Sequence, residues 1–172
     1  MTENTLPNLV ASGDVTQDSA ILWTRSTVPG DVVFEYSTDP DFNTIEGTVT
    51  ATVTDPDIPV KVEVTELDSS TEYYYRVTNA PGATASGEFD TPAMLGENEG
   101  IRFGYASCWR GELGPYPAIS NIPDRDLDFF MQLGDSIYAD FGSDAVLNPD
   151  GSRDELVDSL DEYRAKHNET VS

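Results

Sequence analysis

From residue 6 to about residue 91 apolar and polar side chains alternate, the period of strands with one face buried and the other in water. The alternation predicts strands at "AILWTR" (20–25), "DVVFEYS" (31–37), residues 46–53, "PVKVEVT" (59–65), "TEYYYRVT" (71–78) and "TASGEFDT" (84–91). Turn-forming residues separate them: Pro29-Gly30, Asp39-Pro40, Asp55-Pro56-Asp57, Asp68-Ser69-Ser70 and Pro81-Gly82. With a short edge strand near Leu9-Val10, about seven strands follow one another at the spacing of an all-β sandwich.

The period changes in the second half. Pro92, Gly96 and Gly100 mark a linker over residues 93–100, between a unit at 1–92 and a unit at 101–172. There "IRFGYAS" (101–107) and "LDFFMQL" (127–133) are strands. A short helix near Tyr116–Asn121 fits between them, since Pro115 and Pro117 suit only a first turn. Strand, helical crossover and strand form one βαβ unit of a parallel sheet. With no third strand in sight, an edge of that sheet is expected to stay unpaired and prone to association. After the loop at 142–151, Ser152 with Glu155 makes a capping box, and Leu156, Leu160 and Tyr163 recur at helical spacing.

Charge narrows the partners. Nine basic residues against 32 acidic ones give a net charge of −23. The acids fall 16 on either side of Pro92, so the excess is a property of the whole surface. Such a surface suits a protein of high-salt surroundings, where screening removes self-repulsion, though plain acidic solubility gives the same composition. No cluster of Lys or Arg could replace phosphate counterions, which argues against nucleic acid as a partner. No apolar run is long enough to span a bilayer, and "MTENTLPNLV" has neither the basic nor the apolar part of a signal peptide.

Chemistry concentrates at the ends of the two later strands. In "LDFFMQLGDSIYADF" an apolar strand runs into Gly134-Asp135, with Tyr138 three residues on. Cys108, the single cysteine, follows the first strand and is a core residue, a free thiol or a metal ligand. Parallel pairing would bring the two tips together, at the strand ends where open α/β sheets gather their ligands. Thiolate, carboxylate and phenolate together favour a highly charged ion such as ferric iron, and the thiolate alone would also accept zinc. Each residue has an ordinary alternative: a buried thiol, a turn or cap carboxylate, a packed phenol. Arg110 could meet a phosphate, or pair with one of the many acids. Asp140 could bind calcium or simply face water. Taking Gly151 as the sixth residue of an EF-hand loop puts Val146 first and Val157 twelfth, which excludes that loop.

Two resemblances give these features a common setting. "ELDSSTEYYYRV" (66–77) resembles the fibronectin type III pattern, which implies a buried Leu67, a corner tyrosine at Tyr73 and a core tryptophan at Trp23. An aromatic binding platform at Tyr73, Tyr74 and Tyr75 is the alternative. "GDSIY" resembles the second metal motif of the purple acid phosphatase and PhoD branch of the calcineurin-like metallophosphoesterases, and "LVASGDVTQDSAILWTR" resembles the domain preceding PhoD catalytic domains. The resemblance implies a fibronectin/Ig-like sandwich followed by the first βαβ part of an α/β metallophosphoesterase domain. It implies Cys108, Asp135 and Tyr138 as metal ligands, ferric iron plus calcium or another divalent metal, a phosphate ester substrate, hydrolysis by metal-activated hydroxide and an exported location. Ser136 departs from the family, which often has a second tyrosine there, and "CWRGELGPYPAISN" differs from the usual text, leaving the substrate open.

The family's later Gly-Asn-His and Gly-His-x-His motifs have no counterpart here, where His167 is the one histidine. The chain therefore reads as the amino-terminal portion of such an enzyme, expected to be inactive alone. The alternative is a non-catalytic fibronectin-like binding module with a degenerate α/β appendage.

Overall fold

Side-chain parity decides what meets what in the first half of this chain, whose computed structural model describes residues 4–97, 100–110 and 113–170. The molecule divides into two units, Met1–Glu99 and Gly100–Ser172. In the first, seven antiparallel strands form two sheets. β1 (Val10–Gly13), β2 (Ser19–Thr24) and β5 (Val60–Thr65) make one. β3 (Gly30–Ser37), β4 (Gly47–Val53), β6 (Glu72–Asn79) and β7 (Thr84–Asp90) make the other, in the order β4-β3-β6-β7. Alternate residues of both sheets fill one core: Ala20 and Leu22, Val32 and Phe34, Val62 and Val64, then Tyr73, Tyr75 and Val77. The seven predicted strands are all present, each within a few residues of its expected ends.

Trp23 is not in that core. Ala20, Leu22 and Thr24 point inward, so period two turns Trp23 to the outer face, half-buried between its register partners Ala11 and Lys61. Tyr73 does form the corner: its hydroxyl accepts a 2.9 Å hydrogen bond from the Asp68 N–H, and Leu67 is buried beside the same core. Tyr73 and Tyr75 are both buried, Tyr73 stacked on Phe89 at 5.5 Å. Core packing thus occupies the faces that a tyrosine platform would expose. Gly87 faces Tyr75 across the strand pair, and a Cβ there would lie 2.6 Å from the Tyr75 hydroxyl; the edge strand is glycine where the ring lies flat on it.

The second unit is built on β8 (Phe103–Ala106) and β9 (Phe129–Gln132), which pair in parallel, Phe103 with Phe129 through Ala106 with Gln132. Among the described residues the crossover holds turns and a 3-10 segment at Ile122–Arg125, and the helix expected at Tyr116–Asn121 is absent. Pro123 has no N–H to give the Ile119 carbonyl, which takes the Ile122 N–H at 3.0 Å instead, and it fits the start of the 3-10 turn. The alternation along β8 and β9 exposes Phe103, Tyr105, Phe129 and Met131 on one face. On the other, the Phe130 ring lies 6.0 Å from that of Trp109, and a Cβ at Gly104 would come within 2.9 Å of the Leu127 and Phe130 side chains.

The one α-helix among the described residues, α1 (Leu160–Thr170), starts later than its predicted cap. Ser152 gives its hydroxyl to Asp150 at 2.7 Å, and a bridge between Leu147 and Arg153 holds the chain extended there. The capping box forms instead at Ser159 and Glu162. The Glu162 carboxylate accepts from the Ser159 and Asp158 N–H groups at 2.9 and 3.1 Å, and the Glu162 N–H donates to Ser159 Oγ at 3.3 Å. These bonds hold the Glu162 carboxyl below its ordinary pKa, the Ser159 N–H most strongly. The stripe Leu156, Leu160 and Tyr163 is exposed; Lys166 and Thr170 make the buried face.

Two outcomes test this packing. Tyr73→Phe leaves the Asp68 N–H without its acceptor and should cost about 1–2 kcal/mol, read as a lower urea midpoint at unchanged slope. Burial raises Tyr75 to about 12 from 10.0 and also raises Tyr73, so the folded chain keeps protons that the unfolded chain releases. Stability should hold below pH 10 and fall as pH rises from 10 towards about 12, a loss that Tyr75→Phe reduces in alkaline unfolding curves.

Candidate functional site

The parallel ladder continues past the strands that define it. The Leu133 N–H donates to the Ala106 carbonyl at 2.8 Å, Cys108 to Gly134 at 3.3 Å and Trp109 to Asp135 at 2.9 Å. The two loops therefore leave the sheet side by side, still in register. Gly134 has a φ of 105°, and both Cys108 (63°) and Asp135 (55°) lie in the left-handed region. Aspartate tolerates that conformation through local hydrogen bonding, whereas a cysteine there stores strain of order 1–3 kcal/mol. The Cys108 side chain is exposed.

Three side chains meet at this end of the sheet. Cys108 Sγ donates to Asp135 Oδ2 at 3.5 Å, and the Tyr138 hydroxyl donates to the same oxygen at 3.2 Å. Tyr138 is half-buried, three residues after Asp135 in the loop leaving β9. Its phenol is pushed up to about 12, first by its hydrogen bond with the Cys108 sulfur, then by burial, then by the Asp135 charge.

The other sequence candidates lie around this cluster in different ways. The Arg110 guanidinium stacks on the Phe141 ring, its carbon 3.5 Å from the ring centroid. Asp140 is exposed, and His167 is exposed on α1. Among the described residues no three of His, Cys, Asp and Glu gather as a metal site; the third group in this cluster is a phenol.

Lys166 and Thr170 were not legible as site residues. Thr170 Oγ1 donates to the Ser136 carbonyl at 2.9 Å, Lys166 Nζ donates to the Phe141 carbonyl, and the Val157 N–H donates to the Ala139 carbonyl at 2.8 Å. The available signal was their i,i+4 spacing, which puts a lysine and a threonine on one helical face.

Residues 1–93 match the family model of the PhoD-like phosphatase N-terminal domain, and residues 103–172 match that of the PhoD-like phosphatase itself. The chain belongs to the PhoD-like phosphatase family. It is 31% identical to alkaline phosphatase D of Bacillus subtilis (strain 168) over 92% of its own length, and it spans 30% of that relative. A solved structure of PhoD superposes on 99% of this PhoD-like chain at 27% identity with a TM-score of 0.82, the chain covering 36% of that structure. The mostly β architecture with one helix is thus the architecture of the corresponding region of PhoD. No helix among the described residues is long and apolar enough to cross a membrane.

The cause of the raised Tyr138 pKa can be checked directly. In chelator-treated protein, Cys108→Ala should lower the Tyr138 midpoint from about 12 towards 10.0. The measurement is the phenolate absorbance that Tyr138→Phe removes.

Proposed function

We propose that this chain supplies the first metal-holding cluster of a PhoD-type phosphatase or phosphodiesterase acting on phosphate esters. One observation carries the proposal: a thiol and a phenol converge on a single carboxylate oxygen at the carboxyl ends of two parallel strands. The donor set fits a cation. Ligands held about 2.1–2.3 Å from one ion lie roughly 3.0–3.6 Å apart, and the spacings to Asp135 Oδ2 are 3.5 Å from Cys108 and 3.2 Å from Tyr138. Cys108, Asp135 and Tyr138 would hold it, releasing the thiol and phenol protons to solvent. Three anionic donors of mixed softness suit ferric iron, and the second oxygen of Asp135 leaves a donor for calcium or another divalent ion. When bound, such ions supply positive charge that acidifies water and draws charge from phosphoryl oxygens.

The chain's own residues orient these groups. The continued ladder fixes the two loops against each other, and the left-handed Cys108 turns its sulfur outward. Arg110, whose guanidinium carbon lies 3.5 Å from the Phe141 ring centroid, is the candidate for phosphate, since guanidinium groups suit phosphate oxygens. We place the boundary between the sandwich at 1–92 and the catalytic portion at 101–172 within 93–100, of which residues 98 and 99 lie outside the described residues. Parallel sheets are covered on both faces in complete domains. The exposed Phe103, Tyr105, Phe129 and Met131 support completion of the catalytic unit by further polypeptide, and with it the second ion and the acid for the leaving group.

Titration of the chain with ferric ion should give one tight site with a phenolate-to-iron absorption band. Asp135→Asn should weaken it at least about tenfold, and Tyr138→Phe should abolish the band. The chain alone should leave bis-p-nitrophenyl phosphate unhydrolysed. Turnover by the purified chain, lost on Asp135→Asn, would show that it is catalytically sufficient.

A further inference from the structure

The loop that carries Tyr138 is gripped from one side along its length. Thr170 holds the carbonyl of Ser136, the Val157 N–H holds that of Ala139, and Lys166 holds that of Phe141. Val157, Lys166 and Thr170 are all buried, Lys166 to 4% of its free exposure. A lysine is a costly residue to bury, because its ammonium leaves water. An apolar side chain of similar length could fill the space, but it could not satisfy the Phe141 carbonyl. Helix stability explains none of this, since Lys166 reaches out of α1 to a loop 25 residues earlier.

Phe141 is held twice. Its carbonyl accepts from Lys166, and its ring carries the Arg110 guanidinium at 3.5 Å. Tyr138 lies between the carbonyls that Thr170 and Lys166 secure. Any slack at Phe141 therefore reaches the phenol on one side and the guanidinium on the other.

Resting on the cluster proposed above, we infer that Lys166 is a positioning residue. Through the Phe141 carbonyl it fixes the 136–141 loop, so that Tyr138 meets Asp135 and Arg110 keeps its seat; Thr170 secures the other end. Groups that orient ligands without touching the ion commonly govern affinity by tenfold or more.

The full chain tests this with ferric ion as the probe and two readouts. Lys166→Met keeps the length of the side chain and removes the donor, whereas Lys166→Arg restores one. In Lys166→Met the Val157 and Trp109 amides should exchange about tenfold faster, with the sandwich amides unchanged, and ferric affinity should fall about tenfold with a shifted phenolate band. Lys166→Arg should recover most of both. Thr170→Val, which keeps the helix intact, should move the same readouts in the same direction. Unchanged Val157 exchange and an unchanged band in Lys166→Met would overturn the positioning role, as would an equal loss in Lys166→Arg. If the parent chain shows no ferric band at all, the ligand cluster fails; amide exchange in the metal-free variants still decides whether Lys166 fixes the loop.

Discussion

Hydrogen bonds between two loops, beyond the last paired residues of β8 and β9, govern what the second unit can do. Strands in a parallel pair separate once their ladder ends. Here the bonds from Leu133 to Ala106, Cys108 to Gly134 and Trp109 to Asp135 keep the two chains together for three further residues. Those residues carry the thiol and the carboxylate. Without that extension Asp135 and Cys108 would leave on diverging loops, and a phenol three residues on would have no common oxygen to meet.

The same extension sets a conformational cost. Cys108 and Asp135 take left-handed backbone conformations at the point where the ladder ends. A left-handed aspartate is ordinary in a turn; a left-handed cysteine is not, and it persists only where surrounding contacts over-determine it. The N–H bonds of Cys108 and Trp109 supply that constraint, and Val157, Lys166 and Thr170 hold the 136–141 loop that follows Asp135. Electrostatics point the same way. A thiol, a phenol and a carboxylate packed together raise the proton affinity of Tyr138, a state that a cation would relieve.

The sandwich shows a different kind of economy. Its core is specified residue by residue through parity, and glycine appears at Gly87 where Tyr75 needs a flat neighbour. The corner bond from Asp68 to Tyr73 ties a turn to the core with one hydroxyl. A polypeptide with a net charge of −23 gains little from charge pairing, so burial of alternating apolar side chains is the dominant stabilising contribution there.

Sequence alone determined the seven strands and the two parallel ones, because period-two alternation is a local property that folding leaves intact. It also determined the corner tyrosine and the candidates Cys108, Asp135 and Tyr138, which follow strand ends in a recognisable order. Tertiary structure decided the rest. Trp23 faced outward because strand parity, fixed by cross-strand partners, outweighs the size of a side chain. Ser152 lost the helix cap because Asp150 and the Leu147–Arg153 bridge took its neighbourhood, leaving Ser159 to form it. Lys166 was hidden for a related reason: its partner is a backbone carbonyl 25 residues away, and no sequence pattern encodes which carbonyl a lysine will reach.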